Sequence, residues 1–181
     1  ALWQGADEAR QELDLRSFEN PVWLYAAVRN LMLRSGKTME LVSAWEPGFG
    51  SLGAWWRQLF LEGEGRGLIP VSALLPGDNR LLERMLQGQR DNFLETMVQF
   101  DPVENSCIIS LDANNLDELN DLSDRMLKDL EEETCLQTLD HRIDQGIGMI
   151  TLECGELEER TVGQLICFLE LSCAVSACTL G

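Results

Sequence analysis

The chain has 181 residues, of which 45% are hydrophobic and 25% charged, and this composition predicts one globular domain with a sizeable core. Its formal net charge of -17 argues against nucleic-acid binding, which requires clusters of Lys and Arg that the sequence lacks. No apolar run reaches the roughly 18 residues needed to span a bilayer and no signal pattern is found, so we expect a cytoplasmic protein without a membrane partner.

Apolar periodicity and turn residues predict that helices and strands alternate along the chain. The clearest helix begins at Pro21, because Asn20 is a good N-cap and proline fits the first helical position. Predicted helices cover residues 6–13, 21–33, 52–61, 80–87, 91–97, 116–142 and 161–180. Predicted strands cover 38–45, 68–75, 107–111 and 148–153, and residues 95–100 are also compatible with a strand. This alternation indicates βαβ units, so we predict an α/β sandwich around a mostly parallel sheet.

A glycine motif follows the first predicted strand. Gly48, Gly50 and Gly53 match the Gly-x-Gly-x-x-Gly pattern of dinucleotide sites, and Asp78 follows the next strand, where a ribose-binding acid is expected. However, Pro47 stiffens the entry, the helix that follows is short, and the unit lies in mid-chain. A dinucleotide site is therefore the weaker hypothesis.

Two carboxylates stand where the aromatic helix ends. Glu62 and Glu64 flank Gly63, and we expect both in a loop beyond the helix body. A carboxylate at a helix C-terminus opposes the macrodipole, so its placement needs a reason. Either one carboxylate is a general base, or both belong to a solvated helix end. Of the adjacent Trp55 and Trp56, we expect one to pack on the sheet and the other to flank a cleft or a partner subunit.

Metal and disulfide chemistry are not expected. The chain has one histidine and six cysteines, and no two cysteines form a Cys-x-x-Cys pair. We predict reduced thiols that act as small hydrophobic groups. His141 lies among Asp140, Arg142 and Asp144, and we interpret it as a structural residue at a helix end.

Several segments resemble the bacterial-type glucose-6-phosphate isomerases in order and spacing. The more specific ones are Asn20-Pro21, Tyr25-Ala26-Ala27, Arg29-Asn30, Gly36-Lys37-Thr38, Glu46-Pro47, Trp55-Trp56, Gln58-Leu59-Phe60 and Glu62-x-Glu64-Gly65. Weaker similarity continues at residues 88–96, 116–120 and 163–181. The resemblance therefore runs over essentially the whole chain.

This resemblance implies a SIS-type domain over residues 1–181, a three-layer flavodoxin-like sandwich similar to the second domain of a two-domain isomerase. It also implies the interconversion of glucose 6-phosphate and fructose 6-phosphate through a cis-enediol, with Glu62 as the catalytic base, no cofactor and a homo-oligomer. Asn79 stands where the family has a histidine associated with ring opening. The family's phosphate-gripping loop and catalytic lysine have no counterpart in this sequence. We therefore expect little turnover from this chain alone, and the alternative is a non-catalytic SIS-like module that binds a sugar phosphate or a partner subunit.

Overall fold

The computed structural model describes residues 1–14, 17, 19–101, 107–116 and 118–180. Within these residues the helices are α1 (Leu2–Leu13), α2 (Pro21–Arg34), α3 (Phe49–Glu64), α4 (Asn79–Leu86), α5 (Leu127–Asp144) and α6 (Glu159–Leu180). The strands are β1 (Met39–Ala44), β2 (Ile69–Leu74), β3 (Phe93–Asp101) and β4 (Gly148–Glu156). Short 3-10 turns cover Arg90–Asn92 and Asn120–Leu122.

The strands form one parallel sheet in the order β2-β1-β3-β4. Helices α2, α3 and α6 cover one face, and α4 and α5 cover the other. The predicted fold class, a three-layer α/β sandwich, is therefore confirmed. The strand order is that of the flavodoxin-like sandwich, and the direction of chain progression reverses between β1 and β3.

The first face contains an aromatic core. Trp56 and Phe60 of α3 are almost completely buried, and their rings are 5.4 Å apart between centroids. The other buried members of this core are Tyr25, Val42, Ala44, Phe49, Val98, Leu165, Leu169 and Cys173. Helix α1 packs on the outside of α6, where Gly5 and Gly163 leave room for each helix to approach the other's backbone.

The second face has an aliphatic core. Its buried residues are Leu41, Ala73, Leu75, Leu82, Leu86, Phe93, Met97 and Ile147. Because helices cover both faces, the central strands β1 and β3 are buried on both sides, and apolar side chains are the rule in such strands. Glu40, Ser43, Glu95 and Thr96 are buried polar exceptions in these two strands.

The start of α2 confirms the predicted N-cap. The Asn20 Oδ1 atom accepts a hydrogen bond of 2.9 Å from the Val22 amide, and Pro21 is the first helical residue. Helix α1 begins at Leu2, four residues before its predicted start at residue 6, and β4 continues to Glu156, three residues beyond its predicted end at 153.

The long helix predicted over residues 116–142 is wrong in its first part; residue 117 lies outside the described residues. Helix α5 begins at Leu127, and the preceding segment is irregular. The Asp112 carboxylate accepts hydrogen bonds from the amides of Asn114 (3.2 Å) and Leu116 (3.0 Å), and Asn115 has a φ of 45°. Within the predicted helix, Glu118 and Asp124 have φ values of 58° and 65°, a left-handed conformation that interrupts an α-helix, so the leucine spacing does not produce one.

Two further predictions fail nearby. Residues 91–97 were predicted as a helix, but Phe93 begins β3, which pairs with β1, with Leu94 opposite Glu40. This tertiary pairing outweighs the local helical spacing, and the alternative strand over residues 95–100 is confirmed. The strand predicted over 107–111 is an isolated antiparallel bridge between Ile108 and Met126.

Helix α6 is long and apolar enough, by length and composition, to cross a membrane, although Glu170, Ser172 and Ser176 interrupt its apolar run. In the structure its buried side chains pack against α1, α2 and α3. A core helix passes the same test of length and composition, so α6 is accounted for by its place in the sandwich.

Candidate functional site

The two carboxylates at the end of the aromatic helix lie on the helix itself. Helix α3 continues through Glu64, so the prediction that Glu62 and Glu64 lie in a loop is wrong. The helix stops at Gly65, whose φ of 63° is a conformation that glycine adopts without strain. Both carboxylates are therefore held by helical geometry in the last turn of α3.

The two carboxylates face very different surroundings. Glu64 is buried, with 8% of its surface exposed, whereas Glu62 is exposed. Glu62 Oε1 accepts a hydrogen bond of 3.1 Å from Gln58 Nε2, one turn earlier on the same helix. Among the described residues, no Lys, Arg or His forms a salt bridge with Glu62. Glu62 is thus an accessible carboxylate on a defined helix end.

Arg29 of α2 binds the buried carboxylate. Its Nε donates to Glu64 Oε1 at 3.2 Å and its Nη2 donates to Glu64 Oε2 at 2.7 Å, which is a two-pronged ion pair. The guanidinium carbon also lies 4.1 Å from the centroid of the Phe60 ring, a cation–π contact. Arg29 therefore contacts the last turn of α3 at two buried side chains.

The same guanidinium reaches the sheet through Glu40 of β1. Arg29 Nη1 forms an ion pair with Glu40 Oε2, while Glu40 Oε1 accepts hydrogen bonds from Tyr25 (2.7 Å) and from Thr96 of β3 (2.6 Å). Burial raises the pKa of Tyr25, so its hydroxyl remains a donor. We refer to Tyr25, Arg29, Glu40, Glu64 and Thr96 as the Arg29 network.

Neighbouring glycines make room for this arrangement. A side chain at Gly63 would overlap the Cys173 sulfur of α6, and a side chain at Gly67 would overlap the Glu64 carboxylate. The Glu-Gly-Glu-Gly pattern therefore follows from close packing and from the turn at Gly65, and its glycines are not a sign of a flexible loop.

A second buried ion network lies on the opposite face. Arg142 of α5 donates to Glu83 Oε1 (2.7 Å) and to Asn79 Oδ1 (3.3 Å), and its Nε lies 3.3 Å from Glu95 Oε2. Ser43 donates to Glu95 Oε1 at 2.7 Å. Burial raises the pKa of Glu95, against the opposing effects of Ser43 and Arg142. Asn79 is thus an acceptor for a buried guanidinium.

The glycine motif opens helix α3 and lines a small cleft. Gly50, Gly53 and Asp78 line a cleft of about 180 Å³. This volume is below the roughly 300 Å³ typical of the smallest ligand pockets. A Cβ at Gly53 would lie 3.2 Å from the Cβ of Ser72, so this glycine serves helix–strand packing. Asp78 Oδ2 accepts from the Leu74 amide at 2.9 Å and is therefore engaged in the turn.

The remaining candidate residues have structural positions. Trp56 is fully buried on the sheet, as predicted for one of the two tryptophans, and Trp55 is half-buried against the same core. His141 is exposed and contacts Gln145 one turn later. None of the six cysteines, all of which lie within the described residues, is in a disulfide. Within the described ranges, no three His, Cys, Asp or Glu side chains cluster in a way that could hold a metal ion.

The role of Arg29 is not predicted from the sequence. A signal was present, because Arg29 is the single charged residue in the apolar segment 21–33 and lies one turn after Tyr25. Each of the two buried strands also contains a carboxylate, Glu40 or Glu95, which indicates that a buried cation is needed nearby. Which cation pairs with which carboxylate depends on long-range packing and is not encoded in local spacing.

Curated proteins similar to this chain are glucose-6-phosphate isomerases. The Staphylococcus saprophyticus protein is 33% identical over 185 residues, which is 100% of this chain and 42% of that protein. The Bacillus cytotoxicus protein is 34% identical over 188 residues, covering 99% of this chain and 41% of its own length. The Fusobacterium nucleatum protein is 30% identical and covers 97% of this chain. No protein-family model matches the sequence.

Among solved structures, a hypothetical protein from Thermus thermophilus matches with a TM-score of 0.82 at 21% identity, over 97% of this chain and 43% of that one. This likeness supports the fold alone. The chain spans about 42% of the length of the first curated relative, so its similarity is to a part of each longer protein. The resemblance to glucose-6-phosphate isomerases predicted from the sequence is confirmed, and along its whole length the chain is similar to a portion of those enzymes.

Proposed function

We propose that this chain supplies the catalytic base of a phosphohexose isomerase, and that Glu62 is that base. The observation that carries the proposal is the position of Glu62, an exposed carboxylate in the last turn of α3 whose neighbouring carboxylate is buried and paired. The similarity to glucose-6-phosphate isomerases supplies the reaction.

The reaction requires one base that moves a proton between adjacent carbons. Glu62 removes the proton from C2 of the open-chain glucose 6-phosphate while O1 takes up a proton from solvent, and a cis-enediol forms. Return of the proton from Glu62 to C1, with loss of the O2 hydroxyl proton to solvent, gives fructose 6-phosphate, so electrons and atoms balance without an oxidant or a reductant. A carboxylate held within reach of the reacting carbon is suited to this general-base role.

The rest of the active site belongs to the longer protein in this proposal. Binding a sugar phosphate needs positive groups, whereas the chain carries a net charge of -17. The curated relatives are more than twice as long as the chain, which leaves room for a phosphate-binding part. A homo-oligomer and a cytoplasmic location are parts of the same proposal.

Glu62→Gln in the full-length protein tests the role of Glu62. We expect kcat with fructose 6-phosphate to fall by about 10²- to 10⁴-fold, because the amide cannot accept the proton. Glu131→Gln, at an exposed carboxylate of α5, is the control and should keep wild-type kcat. An unchanged kcat for Glu62→Gln removes Glu62 from the mechanism. The 181-residue chain alone should show little turnover of glucose 6-phosphate, and robust activity would contradict the need for another part.

A second candidate function is a non-catalytic module that binds a sugar phosphate or a partner subunit. It is favoured by Asn79, which replaces the family's histidine and accepts from Arg142 instead of holding a proton for ring opening. Calorimetry with fructose 6-phosphate separates the two. Binding by the full-length protein without isomerase activity favours the module, whereas binding with turnover favours the enzyme.

A further inference from the structure

We propose that Arg29 and Glu64 are positioning residues that fix the direction of Glu62, an inference that rests on the proposed function. Residues two apart on an α-helix point in nearly opposite directions, since each residue turns the helix by about 100°. Phe60 and Glu64 both point inward and both contact Arg29. Glu62, halfway between them, is therefore directed outward by the same two contacts.

The end of α3 needs such a restraint. Terminal helical turns fray easily, and a carboxylate in the last turn opposes the helix macrodipole. Glu64 nevertheless is the last residue of α3, and its side chain is 1% exposed. The two-pronged bond from Arg29 compensates the buried negative charge of Glu64. The ion pair and the helical conformation of the last turn of α3 therefore depend on each other.

The restraint is anchored in the sheet. Arg29 pairs with Glu40 of β1, and Glu40 accepts from Thr96 of β3 at 2.6 Å. The last turn of α3 is thereby tied through one guanidinium to the two central strands. A displacement of about 1 Å can cost about 100-fold in rate, so loosening this tie is expected to reduce catalysis without removing a reacting group.

The opposite face offers a matched control for a purely structural role. Glu95 and Glu64 each have 1% side-chain exposure, and each lies beside a buried arginine, Arg142 and Arg29 respectively. Glu95 contacts Ser43 and Arg142 and has no contact with α3 among its described partners. The same Glu→Gln change at the two positions therefore separates an effect at the end of α3 from the effect of altering a buried carboxylate beside an arginine.

The experiment compares Glu64→Gln, Arg29→Lys and Glu95→Gln in the full-length protein. We expect Glu64→Gln to lower kcat by about 10- to 100-fold and to leave KM for fructose 6-phosphate within about twofold of wild type. The reason is that the substitution disturbs the orientation of Glu62 but removes no group that binds the substrate. Arg29→Lys keeps the cation but not the planar fork, so it should show a smaller kcat loss and provides a second test if Glu64→Gln does not fold. Glu95→Gln should keep kcat within about twofold, whatever its effect on stability.

A readout without turnover accompanies these rates. Amide hydrogen exchange of residues 61–66 should become faster in Glu64→Gln and Arg29→Lys, while exchange in β1 and β3 remains slow. Wild-type kcat in both Arg29-network variants, or an equal kcat loss in Glu95→Gln, overturns the inference. If Glu62→Gln instead keeps full activity, the proposed function fails, and unchanged exchange at residues 61–66 then also rejects the restraint.

Discussion

Gly63 of α3 lies directly against Cys173 of α6, so that a Cβ at Gly63 would overlap the Cys173 sulfur. Cys173 is buried, and its sulfur also lies 3.5 Å from the Leu59 carbonyl oxygen. The two helices therefore meet at the residue between Glu62 and Glu64. This contact limits how closely the end of α3, which carries the candidate base, can approach α6.

Gly63→Ala should destabilise the protein by about 1–3 kcal/mol, because overpacking at this contact outweighs the roughly 1 kcal/mol by which alanine favours a helix. In a Cys173→Ala background the sulfur is gone, and the same change should be neutral or stabilising. Denaturant unfolding of the two single variants and the double variant measures the coupling. Strictly additive effects would contradict the contact.

The stability of the protein should depend on pH through Glu95. Burial raises the pKa of this carboxyl above its ordinary value of 4.5. The folded state then holds a proton that the unfolded chain has already lost, so the contribution of Glu95 to stability is full below pH 4.5 and is lost as pH rises through the folded-state pKa. Glu95→Gln removes this loss.

We therefore expect the free energy of unfolding of Glu95→Gln, relative to wild type, to increase as pH rises from about 4 to about 7. Chemical denaturation at several pH values measures the difference. A constant difference for Glu95→Gln would mean that its carboxyl titrates alike in the folded and unfolded states.

Thiol reactivity should follow exposure and burial. Burial raises the pKa of Cys154 to about 11 and that of Cys173 to about 11, whereas Cys107 and Cys178 are exposed. The thiolate is the reactive form, so alkylation at about pH 8 should modify Cys107 and Cys178 well before Cys154 and Cys173. Peptide mapping by mass spectrometry gives the order, and the four rates should converge in denaturant. Equal rates in the folded protein would contradict the described packing.

Local rules account for the fold class. The N-cap Asn20, the alternation of helices and strands, and the apolar face of α3 are short-range signals, and the structure confirms each. The irregular segment before α5 could not be predicted from leucine spacing, because left-handed backbone at Glu118 and Asp124 interrupts the residues that would form the helix.

The two carboxylates of the candidate site can be named from the sequence, but not their partners or their geometry. Gly63 and Gly65 suggested a loop, whereas helical packing against Cys173 keeps Gly63 within α3. The pair formed by Arg29 and Glu64 joins residues 35 apart in sequence, and such pairing is fixed only when α2 and α3 meet in the folded core. The family resemblance therefore identified Glu62 as a candidate, and the structure added the neighbours that hold its helix.

The packing of α1 on α6 should depend on Gly5. A Cβ at Gly5 would overlap the Arg160 carbonyl oxygen, a backbone atom that cannot rotate away. Nearby, Arg160 Nε donates to Glu8 Oε2 at 2.7 Å across the same helix pair. Gly5→Ala should therefore displace α1, lowering the free energy of unfolding by about 1–3 kcal/mol and accelerating proteolysis of residues 2–13.

Gln4→Ala is the matched control, because Gln4 is exposed on the same helix and precedes Gly5. It should leave both the unfolding free energy and the proteolysis of α1 close to wild type. Thermal unfolding and timed proteolysis with mass spectrometry measure the two effects. Because alanine is the better helix former, an isolated α1 would gain helicity from Gly5→Ala. A stabilised Gly5→Ala protein would therefore mean that α1 does not pack closely on α6.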